Sequence, residues 1–112
     1  MHELQIATEI INIVEREMVQ RHLDKIGAIG VRLGALSGFD PEALRFSFSA
    51  ATIDTPLSGT KLDIELVPIW CRCKSCGLES HIDERIFICP SCGSQELEIL
   101  KGDELEIFYL EI

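Results

Sequence analysis

Basic side chains are scarce in this sequence: 10 Lys and Arg stand against 19 Asp and Glu in 112 residues, a net charge of −9. Affinity for nucleic acid comes largely from Lys and Arg neutralising phosphates, so this balance disfavours a polyanionic partner. No basic stripe interleaved with aromatics offsets it. No run of about 18 apolar residues exists, and the amino terminus lacks the basic and apolar segments of a signal peptide, so neither a membrane span nor export is expected. A phosphate-binding glycine loop, a triad spacing and a carboxylate pair in a suitable context are all missing, which leaves an enzyme with little support; Cys71 as nucleophile with His81 as base is the weakest reading. No low-complexity segment appears, nor any linker longer than a few residues.

What is present is cysteine, five in all. Cys73 and Cys76 form one Cys-x2-Cys pair, Cys89 and Cys92 a second, and twelve residues separate them. Each pair can wrap two thiolates around an ion, and a hairpin between them completes the four-sulfur shell of a structural zinc site. Gly77 and Gly93 follow the pairs where the chain must turn away from the metal, a place that favours positive φ. Four sulfurs fill a tetrahedral ion and leave no position for a substrate, so this site contributes folding energy rather than chemistry. In an unexported chain the thiols stay reduced, and a cytoplasmic location follows. Cys71, two residues ahead of the first ligand, lacks the compact knuckle spacing and reads as a small, partly buried apolar side chain. His81, mid-hairpin, reads as a solvated turn residue.

The rest of the chain predicts an α+β fold: two helices packed on a three-stranded sheet, with the zinc-ribbon-like four-cysteine subdomain inserted. Apolar residues at Leu4, Ala7, Ile11, Val14 and Met18 describe an amphipathic first helix. Ile29, Val31 and Leu33 alternate with Gly30, Arg32 and Gly34, a strand with one buried face whose glycines hint at close backbone approach. Asp40 ahead of Pro41 reads as the cap of a second helix carrying Leu44, Phe48 and Ala51. A second strand spans 61–67 and a last one 105–112, and these two are expected to pair because the zinc hairpin returns the chain near where it left. The division is residues 1–68 with 101–112 as one α/β domain, and 69–100 as the zinc-binding domain inserted before the last strand. An exposed edge of such a sheet leaves room for a homodimer or a partner strand.

Met1, His2 and Glu3 place an amine, an imidazole and a carboxylate within a few atoms of one another. The amine, the imidazole nitrogen and the intervening amides can form fused chelate rings in one plane, a donor set that suits Ni(II) or Cu(II).

Taken with Phe39-Asp40-Pro41-Glu42-Ala43-Leu44, Cys73-x2-Cys76-Gly77 and Cys89-Pro90-Ser91-Cys92-Gly93-Ser94, this terminus resembles the HypA/HybF family of hydrogenase nickel-incorporation proteins over essentially the whole chain. The resemblance implies a nickel metallochaperone that delivers Ni(2+) as cargo to the large subunit of [NiFe]-hydrogenase, working with a GTPase maturation partner. His2 would be the essential nickel ligand, joined by the Met1 amine and the backbone nitrogens of His2 and Glu3. Glu3 and Asp40 are candidates to supply or orient a carboxylate, a role that competes with capping for the oxygens of Asp40. Cys73, Cys76, Cys89 and Cys92 would hold structural Zn(2+), and residues 1–68 with 101–112 become the nickel-binding domain. The alternative is a zinc-ribbon interaction module that binds nucleic acid or a protein complex.

Overall fold

The computed structural model describes residues 2–82 and 86–112. In chain order it contains α1 (His2–Arg21), β1 (Ala28–Gly34), a short 3-10 turn (Ala35–Ser37), α2 (Pro41–Ala51), β2 (Lys61–Val67), β3 (Ile69–Cys73), β4 (Glu79–Ile82), β5 (Leu97–Lys101) and β6 (Leu105–Glu111). The described strands form two three-stranded sheets, ordered β2-β1-β6 and β4-β3-β5. Two compact units result: Met1–Val31, Phe39–Glu65 and Glu106–Ile112 in one, Arg32–Gly38 and Leu66–Leu105 in the other.

In the first unit, α1 buries Ala7, Ile10, Ile11, Val14 and Met18, the i, i+3, i+4, i+7 row that an amphipathic helix turns to its core, and α1 packs against α2. The stop of α1 has no glycine. His22 takes a left-handed φ of 54°, and the Leu23 N–H donates back to the Met18 carbonyl at 2.9 Å, closing the helix as a Schellman-type turn does. Asp40 caps α2 as its sequence foretells: its carboxylate accepts from the Glu42 N–H at 3.0 Å, with Pro41 in the first turn. At the other end Thr52, almost fully buried, donates its hydroxyl to the Phe48 carbonyl at 2.9 Å.

Two expectations about the first sheet need correction. β6 does not pair with β2, because β1 lies between them. Nor does β1 have one buried face; six of its seven residues are buried and Arg32 is half-buried. The physical reason is its composition. Ala-Ile-Gly-Val-Arg-Leu-Gly is the most apolar of the three strands, and burying it on both faces leaves the charged Lys61-Leu62-Asp63-Ile64-Glu65 strand for an edge. Direction is set at the ends, where the Gly27 N–H donates to the Glu111 carbonyl at 2.7 Å and the Gly34 N–H to the Glu104 carbonyl at 2.8 Å, so β6 runs against β1.

In the second unit, β3 pairs antiparallel with β4 and with β5. Ile69, Cys71 and Ile82 make its small buried cluster, with Ala35, Leu36, Phe87 and Leu97 packed around it. The Gly34 backbone lies so close to Gly102 that a Cβ there would stand 2.1 Å from the Gly102 carbonyl oxygen. This is the close approach that the strand glycines hint at. The cysteine hairpin, which its spacing marks only as an insertion between strands, belongs to a sheet of its own.

Candidate metal centre

Each cysteine knuckle is built by the same backbone hydrogen bonds. The Gly77 N–H donates to the Cys73 carbonyl at 2.8 Å and the Gly93 N–H to the Cys89 carbonyl at 2.9 Å, while the Cys73 and Cys89 N–H groups donate, each at 2.8 Å, to the carbonyls of Leu78 and Ser94. Both glycines take the positive φ that the turn requires, 78° and 74°, and added side chains there would meet nothing within 4 Å. Conformation rather than space makes glycine the residue of choice.

The two knuckles face each other. All four sulfurs, of Cys73, Cys76, Cys89 and Cys92, lie within 4.8 Å of one another, with 3.6 Å between Cys73 and Cys92 Sγ and 3.6 Å between Cys76 and Cys89 Sγ. A tetrahedral Zn–S shell at about 2.3 Å needs sulfurs about 3.8 Å apart, so this donor set can hold a metal such as zinc with little movement. Cys73 and Cys89 are buried; Cys76 and Cys92 are exposed. The Ser75 hydroxyl donates to Ser94 Oγ at 3.1 Å, joining the knuckles at a second point that the cysteine spacing does not announce.

Within each knuckle the two thiols differ. N–H groups of Cys76 and then Ser75 point at Cys73 Sγ and hold that thiol down at about 6, against burial. N–H groups of Cys92 and Ser91 lower Cys89 in the same way. At Cys76 the Leu78 N–H favours the thiolate, but the neighbouring Cys89 sulfur and burial outweigh it and raise the thiol. At Cys92 the Ser94 N–H is outweighed by Cys73, burial and the other two sulfurs, and the thiol is pushed up to about 11. Backbone N–H donation to the first cysteine of each pair favours its thiolate over that of the second before any ion arrives.

Cys71 stands outside this set. Its side chain is fully buried beside Ile69 and Ile82, and burial raises its thiol. His81 is exposed as expected but belongs to strand β4 rather than a turn, where it pairs in register with Trp70; the two rings stand 5.9 Å apart at 49°. Among the described residues no cluster of three or more His, Cys, Asp or Glu other than the four thiols could hold an ion. Of the terminal set, Met1 lies outside the described residues, His2 is the first residue of α1, and Glu3 sits half-buried in its first turn. Asp40 is exposed and engaged as a cap.

A four-thiol centre on a small α+β scaffold defines a metal-handling protein. Comparison with known proteins narrows this. The family described as "Hydrogenase/urease nickel incorporation, metallochaperone, hypA" matches residues 1–112. The hydrogenase maturation factor HypA of Rhodopseudomonas palustris is 37 % identical over 112 residues, covering all of this chain and 99 % of that protein. That of Chloroflexus aggregans is 42 % identical over 112 residues, covering 99 % and 98 %. The solution structure of the Ni metallochaperone HypA from Helicobacter pylori superposes with a TM-score of 0.68 at 21 % identity, over 98 % of this chain and 96 % of that one. Another HypA solution structure gives 0.72 at 23 %, over 100 % and 96 %; at such identities the likeness speaks for the fold. The chain belongs to the HypA family of nickel-incorporation metallochaperones, carriers rather than enzymes. No helix among the described residues is long and apolar enough to cross a membrane.

Proposed function

We propose that this protein carries Ni(II) at its amino terminus and delivers it for maturation of [NiFe]-hydrogenase, while the four thiols hold a structural Zn(II). The observation that carries the reading is the closed geometry of the thiol cluster. Four sulfurs converging within 4.8 Å offer no open position for an ion that must be handed on, so the cargo needs a separate donor set. Met1-His2-Glu3 is that set. Because α1 begins at His2, the amides of its first turn have no acceptor within the helix. Ni(II) can recruit the His2 and Glu3 nitrogens without breaking a helical hydrogen bond, with the imidazole and the terminal amine completing a tetragonal shell. These ligands must shed protons before they coordinate, so mild acid loosens nickel. Delivery takes place in the cytoplasm, through a GTPase partner to the hydrogenase large subunit. Family membership and full-length similarity support this reading.

The test is nickel titration of the protein with its native terminus beside two variants. His2→Ala is expected to lose nickel and keep both zinc and its unfolding temperature. An uncleaved extension of two residues ahead of Met1 is expected to change nickel affinity and coordination geometry. Loss of both metals in His2→Ala, or a terminal extension without effect, refutes the two-site arrangement.

A further inference from the structure

We propose that the thiol cluster is a site of reversible oxidation, where a hydroperoxide joins Cys73 to Cys92 and Cys76 to Cys89 as disulfides and so ejects the ion. The inference rests on the reading of the cluster as a zinc site. Two sulfur–sulfur contacts are close and aligned enough for an S–H···S hydrogen bond, Cys73 with Cys92 and Cys76 with Cys89, each at 3.6 Å. Both run from one knuckle to the other. A disulfide brings its sulfurs to about 2.05 Å, so each crossing pair closes with about 1.5 Å of side-chain movement. Closure within the first knuckle meets an obstacle, because the Cys76 N–H already donates to Cys73 Sγ at 3.4 Å inside the turn. The Ser75 and Ser94 hydroxyls, 3.1 Å apart, hold the two knuckles together beside the sulfurs.

Access sets the order of events. Each crossing pair joins one exposed cysteine to one buried one: Cys92 to Cys73, and Cys76 to Cys89. The exposed thiolate attacks the O–O bond of the peroxide, keeps one oxygen as a sulfenic acid and releases the other as hydroxide. The buried partner's thiolate then attacks the sulfenic sulfur; the S–S bond forms, the S–O bond breaks and a second hydroxide leaves. With that partner only 3.6 Å away, the sulfenic acid is captured before more peroxide can carry it to the irreversible sulfinic stage. For the whole centre, two molecules of peroxide take four electrons from four thiolates, four protons are consumed, four waters form, and the ion is left without ligands. The crossing bonds keep the knuckles closed after the ion has gone, so a small thiol can reduce them and restore the site. Cys71, fully buried and packed with Ile69 and Ile82, is out of the oxidant's reach and remains a thiol.

Titration of the full-length, zinc-loaded, untagged protein with hydrogen peroxide tests this, with a chromogenic chelator following the metal and alkylation with peptide mapping following the sulfurs. Cleavage after Lys74 and Arg85 puts Cys73, Cys76 and the Cys89 with Cys92 pair on separate peptides, which stay joined only when the disulfides cross. Zinc is expected to leave as two equivalents of peroxide are consumed, with Cys73 bonded to Cys92, Cys76 to Cys89, and Cys71 alone open to alkylation after denaturation. Dithiothreitol and zinc then return the starting protein. Cys71→Ala is expected to release zinc at the wild-type rate and to leave no free thiol. Zinc retained while peroxide is consumed, any other pairing, or sulfinic acids in place of disulfides overturns the proposal. A protein that takes up no zinc contradicts the zinc reading instead, and the pairing formed in its metal-free chain still decides this one. The readouts are zinc and sulfur, so the result is independent of the nickel reading.

Discussion

Loading an ion onto four thiols expels whatever protons they carry, and the arrangement before loading decides how many. The thiol of Cys73 is held at about 6 and that of Cys92 at about 11, with Cys89 lowered and Cys76 raised. At pH 7 the metal-free Cys73 is therefore roughly nine-tenths thiolate, Cys76 and Cys92 keep their protons and Cys89 leans towards the thiolate, so zinc is expected to release about three protons at most. Four independent thiols with ordinary values near 8.5 would release nearly four. The sign follows from the lowered groups: their thiolates are present above the shifted value and are lost as pH falls through it. Proton release thus climbs toward four as pH drops below about 6, and log affinity, whose slope against pH equals the protons released, steepens there. Calorimetric titration with zinc at pH 7, in buffers of different ionisation enthalpy, counts the protons directly. Release of close to four at pH 7 would refute the reasoning, because it means the N–H groups of Ser75, Cys76, Ser91 and Cys92 do not hold thiolates in the metal-free chain.

Other perturbations read separate parts of the structure. Gly34→Ala drives a methyl into the Gly102 backbone and strains the bonds from Gly34 N–H to Glu104 and from Leu36 N–H to Gly102; overpacking of about 1–3 kcal/mol and about 1 kcal/mol for each weakened bond predict a loss of about 3–5 kcal/mol in denaturant unfolding. Gly59→Ala, at φ 84° with no atom within 4 Å of the new Cβ, costs only about 1 kcal/mol of backbone strain, and equal costs for the two variants would contradict the steric account. Cys71→Ser places a hydroxyl in an apolar cluster and is expected to destabilise by about 1–3 kcal/mol, while the visible thiolate band of the Co(II)-substituted protein stays unchanged; a weakened band would make Cys71 a ligand. Asp40→Ala removes the α2 cap, lowering stability by about 1 kcal/mol, and nickel titration is expected to give the wild-type affinity.

The thiol cluster was legible in the sequence because its geometry is local: two short spacings, two glycines and a hairpin long enough to bring them together. Its division into low and high thiols was not, since the donors are backbone N–H groups that every residue carries. α1 and α2 were legible from the Leu4-to-Met18 stripe and from Asp40-Pro41. Strand order was harder. Proximity along the chain favoured pairing β6 with β2, yet the sheet is ordered by burial, and β1, with six of its seven residues buried, takes the centre. The second sheet was hidden for a different reason. Two of the three buried positions of β3 are cysteines, Cys73 reading as a metal ligand and Cys71 as an isolated apolar side chain, and on β5 a register shift opposite Trp70 and Cys71 accompanies an exposed Ile99, which breaks the alternation that marks a strand.

The chain has a single Trp and a single Tyr, and the two fall in different compact units. Trp70 lies on the strand that carries Cys73, its ring beside the His81 imidazole. Tyr109 lies on β6, donating its hydroxyl to Asp63, which raises its own ionisation to about 12. Each unit is thereby fitted with a native optical probe of its own. Indole fluorescence follows the four-thiol unit and tyrosinate absorbance follows the helical one, so the melting of each can be recorded in the unlabelled wild-type protein.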